Sequence, residues 1–180
     1  CDNWTITWAF GHMYELAMPD SYLAENVPTT QKGTKVWRLE DLPIIPKRWI
    51  LNPRGDAKQQ LTIIAGLLKN ATEVTNAGDP DREGQLLIDE ILLEMGWNGP
   101  TQRVWLQDLT QNGIRRAFKQ IRSNKDYKGL YEAAVSRSRC DWLLGMNVTR
   151  AFTLCYQKAG GDGVISVGRV QTPTLNLIVE

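Results

Sequence analysis

Between Lys58 and Ile121 the chain alternates through five helical and extended segments, and this alternation restricts its fold more than any other feature. Lys58–Lys69 places apolar residues at 61, 63, 64, 67 and 68, the spacing of one helix face. Glu73–Ala77 predicts a short strand, Gly78–Gly84 a loop, and Gln85–Met95 a helix ended by Gly96. Gln102–Leu106 predicts a further strand, and Thr110 caps a helix running to about Ile121. Helix, strand, helix, strand, helix implies an α/β layered domain with a largely parallel sheet and flanking helices. Upstream, the β-branched and aromatic run Thr5–Gly11 predicts another strand, and residues 18–56, punctuated by five prolines, a long surface connection. After Asn124 the character changes to a mostly helical segment of a second domain. Tyr127–Lys158 predicts one long helix, bent near Gly145; a glycine-rich turn and an apolar helix from about Val170 follow. A domain boundary is expected near residues 123–127.

Length and composition suit a soluble globular protein: 180 residues, 42% hydrophobic and 23% charged. No apolar run approaches the ~18 residues of a membrane span, and no secretion leader is visible. The chain starts at Cys1 and stops at Glu180 inside a helical pattern, so both ends are expected to be cut. Three cysteines have no metal-ligand spacing and imply reduced thiols of a cytosolic protein, with Cys140 and Cys155 as small core residues. Net charge is only +1, but residues 1–90 hold nine Lys and Arg against 13 Asp and Glu, whereas residues 91–180 hold twelve against seven. An acidic half joined to a basic half suits a site that holds cations on one side and phosphates on the other.

The sharpest local motif is Asp79-Pro-Asp81-Arg82-Glu83-Gly84, three carboxylates alternating between a strand and a helix. At the C-terminal end of a strand such a cluster binds a hard divalent cation through oxygen, as Mg²⁺ requires. Arg82 can pair locally or hold a phosphate. Two other readings stand beside this one. A solvated acidic loop at a helix N-terminus is stabilising by itself. Asp79, Asp81, Glu83, Gly84 and Glu90 also fall at positions 1, 3, 5, 6 and 12 of a calcium-binding EF-hand loop. Against that stand the strand-like segment before the motif and a helix that begins as early as Gln85.

Near the end lies Ser166-Val-Gly168-Arg169-Val-Gln171-Thr172-Pro173, a helix entry with Arg and Gln in its exposed first turn and Pro early in the helix. Such a terminus can hold a phosphate and a base edge, or can simply be a capped helix start. Between the two motifs, Arg137 and Asp141 stand four residues apart on a predicted helix; as a surface pair they are worth roughly 0.3–0.5 kcal/mol.

The stretch Ala77-Gly78-Asp79-Pro-Asp81-Arg82-Glu83-Gly84-Gln85 resembles the Asp-x-Asp-x-Glu signature of the Toprim domain. Its extended form, together with Ser166–Gln171 in the same order, resembles the type IA DNA topoisomerases, the topoisomerase III branch most closely. The resemblance covers nearly the whole chain. It implies a Toprim domain over residues 1–125, lacking its first strand, and the beginning of a helical DNA-binding domain over 126–180. It implies Mg²⁺ held by Asp79, Asp81 and Glu83, with Glu83 also catalytic. Arg137 would lie against the scissile phosphate, oriented by Asp141, and Arg82, Arg103, Arg169 and Gln171 would contact DNA. Arg139, Arg150 and Lys158 would add charge for the DNA backbone. His12 matches a Gly-His pair of the family, with a structural role, and Trp142 is expected in the core.

The activity so implied is ATP-independent, Mg²⁺-dependent single-strand cleavage through a 5′-phosphotyrosyl link, relaxing or decatenating DNA. Its partners would be single-stranded or underwound DNA and a helicase, in a cytoplasmic monomer. The family's first Glu-Lys strand and its nucleophilic tyrosine match nothing here, so the chain alone would be inactive. A Toprim primase or nuclease, and a non-catalytic metal- or DNA-binding fragment, are the alternatives.

Overall fold

A computed structural model describes residues 4–180. They form five strands, β1 (Tyr14–Leu16), β2 (Leu51–Pro53), β3 (Val74–Asn76), β4 (Thr101–Arg103) and β5 (Arg122–Ser123). The five α-helices are α1 (Lys58–Leu68), α2 (Arg82–Glu94), α3 (Gln111–Lys119), α4 (Lys128–Lys158) and α5 (Gln171–Val179). The chain divides into two compact units, one of residues 4–15 and Asn52–Ser136, the other of Leu16–Leu51 and Arg137–Glu180.

The first unit is the expected α/β arrangement. Its sheet has the order β3-β4-β5, with β3 parallel to β4 and β4 antiparallel to β5. The predicted helix–strand alternation is therefore present, and the parallel pair is completed by a short antiparallel edge. Helices α1 and α2 close over Met13, with Ala57, Leu61, Ile64 and Ile91 buried in one cluster. Leu61 and Ile64 belong to the α1 face that the 3.6-residue period marked, whereas Ile63 of that set is exposed. Helix α3 starts where Thr110 accepts the Gly113 N–H through its hydroxyl at 3.1 Å, as expected of an N-cap.

Some expectations change. Residues 4–10 carry no strand: a strand needs a ladder partner, and among the described residues none pairs with this run, which exposes Trp4, Ile6, Trp8 and Phe10. Helix α2 begins three residues earlier than predicted, inside the acidic motif, because Asp81 caps it. The one long helix expected from residue 127 is present as α4, continuous through Gly145.

In the second unit the core is built around Trp142, 6% exposed, whose indole N–H donates to the Ala17 carbonyl at 3.1 Å. Tyr22 and Trp49 meet its ring edge-on, with centroids 5.5 and 5.3 Å away. Asn147 bridges to the connection by accepting the Ile44 N–H at 2.6 Å and donating to the Ile44 carbonyl at 3.0 Å. The long segment 18–56 is thus largely irregular, as its prolines required, but stitched to α4. Cys140 and Cys155 are exposed rather than core: the buried positions of α4 are Ala134, Trp142, Arg150 and Thr153, and both cysteines fall beside that stripe. Cys1 lies outside the described residues. No helix among them is long and apolar enough to cross a membrane.

Candidate functional site

The acidic motif sits at the C-terminal end of β3, where the chain turns into α2. Asp81 is extended at φ −149° and takes the Gly84 N–H on its carboxylate at 2.7 Å, satisfying one of the helix's open donors. Its own N–H donates to the Asp79 carbonyl at 2.8 Å. Two glycines allow this fold-back. A Cβ on Gly84 would overlap the backbone of Asp79, and one on Gly78 would meet the Gly84 carbonyl. Arg82 and Glu83 form the exposed first turn of α2, their side chains 3.9 Å apart. Because α2 starts at Arg82, nine of the twelve positions of such a calcium loop, residues 82–90, are already helical, and Glu90 lies two turns in; the EF-hand geometry is not formed.

Beneath the loop lies Arg103, at the end of β4 and 0% exposed. Its Nη2 donates to the Asp79 carbonyl at 2.6 Å, its Nη1 to the Gly78 carbonyl at 2.7 Å, and its Nε to the Gln85 side chain at 2.9 Å. Its guanidinium carbon stands 4.9 Å from the Trp105 ring centroid, and that ring stacks on Tyr127 at 5.1 Å. Burial pulls the guanidinium's pKa down, while Tyr127, Asp89, Asp79 and Asp81 push it back up. A buried cation with carbonyl partners is a fixed positive charge behind three carboxylates. It opposes their mutual repulsion and ties their backbone.

Among the described residues, no three His, Cys, Asp or Glu side chains converge as a ready-made metal cage. Asp79, Asp81 and Glu83 are separate oxygen donors at a sheet edge. That donor set fits an ion taking one or two carboxylates and completing its shell with water and substrate phosphate, as Mg²⁺ does.

The second unit holds the other sequence candidates. Arg169, just before α5, forks onto Asp141 of α4, with Nε and Nη2 donating to the two carboxylate oxygens at 2.5 and 3.0 Å. Arg137, one turn earlier on α4, has its Nε 3.9 Å from the same carboxylate. Asp141 therefore stands between two guanidinium groups from two separate motifs, and Arg169 is its nearer partner. The hydrogen bond from Arg169, and then the charges of Arg169 and Arg137, hold the Asp141 carboxyl below its usual range. Gln171 opens α5, exposed, with its side-chain carbonyl accepting from the Ser166 hydroxyl at 3.3 Å. The turn before it is locked by Thr172, whose hydroxyl accepts the Gly168 N–H at 3.0 Å.

Other candidates lie elsewhere. Arg139 packs its guanidinium over Trp49 at 5.3 Å. Arg150 is 4% exposed, over Trp37 at 4.8 Å and 3.4 Å from Asp20, so it is not placed to touch a DNA backbone. His12 is exposed. Nothing in the sequence marked Asn76, Asp89 and Asn124, which together with Gln85 form the polar layer under the acidic loop. A buried Gln at a core-facing position of α2 was the one available signal.

The Toprim domain family model matches residues 1–121, and the model described as DNA topoisomerase matches residues 125–180. The chain is 46% identical over 179 residues to DNA topoisomerase 3 of Vibrio cholerae, covering 97% of this chain and 26% of that protein. It is 43% identical to DNA topoisomerase 3 of Haemophilus influenzae, covering 99% and 27%, and 38% identical to that of Staphylococcus epidermidis, covering 98% and 23%. The chain spans about a quarter of the length of these curated relatives. With the acidic loop at the expected strand end and both motifs inside matched segments, the chain belongs to the Toprim family, in the topoisomerase III branch of the type IA DNA topoisomerases.

Proposed function

We propose that the protein carrying this chain is a type IA topoisomerase that cleaves one strand of single-stranded or underwound DNA and reseals it without ATP. In this reading residues 1–125 are the Toprim domain and 126–180 open the DNA-gripping domain, in a cytoplasmic monomer that works beside a helicase. A tyrosine outside these residues attacks phosphorus, the P–O3′ bond breaks, and a 5′-phosphotyrosyl link and a free 3′-hydroxyl result. Resealing reverses the step, so no external energy is needed.

Arg137 and Arg169 neutralise phosphate charge as it builds in the transition state, with Asp141 orienting both. Gln171 offers a base-edge contact at the start of α5. Asp79, Asp81 and Glu83 hold Mg²⁺, which when bound supplies positive charge to position the phosphate and 3′-hydroxyl for resealing. Glu83, on the exposed turn of α2, also serves as the proton-handling group. Arg82 steers phosphate from the same turn. Arg103 reaches DNA only through the loop it holds, because its donors are spent on Gly78, Asp79 and Gln85.

The observation that carries this reading is the acidic loop folded back on Gly84 and pinned by a buried arginine, in a segment matched by the Toprim family. The match of residues 125–180 to DNA topoisomerases favours it over a Toprim primase or nuclease. The test is relaxation of negatively supercoiled plasmid by the full-length protein with Mg²⁺ and no ATP. Relaxation that is abolished by replacing the nucleophilic tyrosine with Phe is the expected result. A well-folded, DNA-binding protein that does not relax plasmid would reduce the chain to a binding module.

A further inference from the structure

We propose that Asn124 is a positioning residue for the acidic loop, working with Asp89 of α2 to hold Gln85, Arg103 and Asn76 in the arrangement that presents Asp79 and Asp81 to a divalent cation. This rests on the Mg²⁺ reading of that loop.

Two routes of hydrogen bonds lead from Asn124 to the motif. In the first, the Asn124 carbonyl accepts from the Gln85 amide at 2.8 Å, and Asp89 accepts from the same amide at 2.8 Å. With its NH₂ group so held, Gln85 must turn its carbonyl toward Arg103, which donates to it from Nε at 2.9 Å. Rotating the Gln85 amide by half a turn would set NH₂ against the guanidinium, donor against donor, inside a dry core. Arg103, so fixed, holds the Gly78 and Asp79 carbonyls. In the second route, the Asn124 carbonyl also accepts from Asn76 at 3.3 Å, and the Asn76 side-chain carbonyl takes the Gly78 N–H at 2.9 Å. Asn124 closes the circuit by donating to Asp89 at 2.8 Å.

Gln85, Asn76 and Arg103 are 0%, 1% and 0% exposed, so the Gln85–Arg103 bond is closed to bulk water, while Asn124 and Asp89 are half-buried. Asn124 is the one member that lies outside the β3–α2–β4 unit, at the turn leading into α4. Together with Asp89 its side chain fixes which way the buried amide points. Groups that orient ligand-bearing segments typically change metal affinity by 10–100-fold when removed.

The test is calorimetric titration of Mg²⁺ into the full-length protein bound to a single-stranded oligonucleotide, with urea unfolding in parallel. Asn124→Ala is expected to weaken Mg²⁺ binding about tenfold, while oligonucleotide affinity without metal stays at the wild-type value. Asn124→Asp sets a carboxylate against Asp89 and should weaken it further. The exchange Asn124→Asp with Asp89→Asn restores every donor–acceptor pair, because residue 89 would then donate to residue 124 and still accept from Gln85. That double variant is expected to recover Mg²⁺ affinity. Wild-type Mg²⁺ affinity in Asn124→Ala, or a double variant no better than the singles at matched stability, would overturn the proposal. Asp81→Asn separates it from the underlying reading. If wild-type uptake of Mg²⁺ did not depend on Asp81, the metal assignment itself would fall, and this inference with it.

Discussion

Single residues divide here into those that hold shape and those that offer chemistry, and Asp81 does both. Its carboxylate caps α2 and, in the proposed reading, also serves the cation. Asparagine caps a helix as well as aspartate does, whereas alanine costs about 1 kcal/mol. Asp81→Asn is therefore expected to leave the urea midpoint unchanged and to slow resealing, while Asp81→Ala loses both. Equal resealing by Asp81→Asn and wild type would remove the carboxylate from the metal site. Gly84→Ala should be worse than either: its methyl group overlaps the Asp79 backbone, and forcing that contact typically costs about 1–3 kcal/mol, visible in urea unfolding. For Arg137→Ala, cleavage should fall more than single-strand affinity; the reverse pattern would make it a general binding residue. At this scale the sequence was most readable where chemistry is local. The acid triplet and the Thr110 cap are patterns of neighbours, whereas Asn124 and Asp89 are 35 residues apart and meet only in the fold.

Among the elements, α2 carries a cost built into its sequence. Glu90 is largely buried, and desolvation, then the charge of Glu94 one turn on, pushes its carboxyl up to about 7 from 4.5. The folded state thus binds this proton more tightly than the unfolded chain. Its benefit is full below pH 4.5 and is lost as pH rises to about 7, so stability falls across that window. Glu90→Gln should remove the decline. Allowing for partial solvent screening, it should stabilise the protein by about 1–2 kcal/mol at pH 8 and leave it unchanged at pH 4.5 in urea titrations. Element boundaries followed the same logic of legibility. Period and caps located α1, α2, α3 and α4 to within a few residues, but the run Thr5–Gly11 has strand chemistry and no strand. Composition supplies propensity, while a ladder also needs a neighbour.

For the molecule as a whole, the division of charge matters more than its near-zero sum. The acidic loop belongs to one compact unit and the Arg137–Asp141–Arg169 group to the other. Chelating Mg²⁺ should stop resealing and leave single-strand binding in place, since that binding draws on arginines. A loss of DNA affinity on chelation would mean that the cation bridges protein and phosphate in the ground state. Replacing Arg169 with Ala should lower the slope of log affinity against log salt by about 0.7, the value for one phosphate neutralised on a single strand. The grouping of 16–51 with 137–180 was not readable beforehand. It depends on Trp142 and Asn147 reaching over a hundred residues back along the chain, and pattern-based inference has no term for such reach.

Arg169 also says something about how a strand would arrive. Its fork is already seated on the two oxygens of Asp141, so in the proposed reading an incoming phosphate would exchange places with a resident anion rather than capture a roaming side chain. In that reading much of the ordering cost of a long, flexible arginine is met before any DNA is present, and the carboxylate would take the fork back when the strand leaves. An arginine tethered in this way would grip quickly and let go cleanly, as the proposed cycle of cutting and resealing needs.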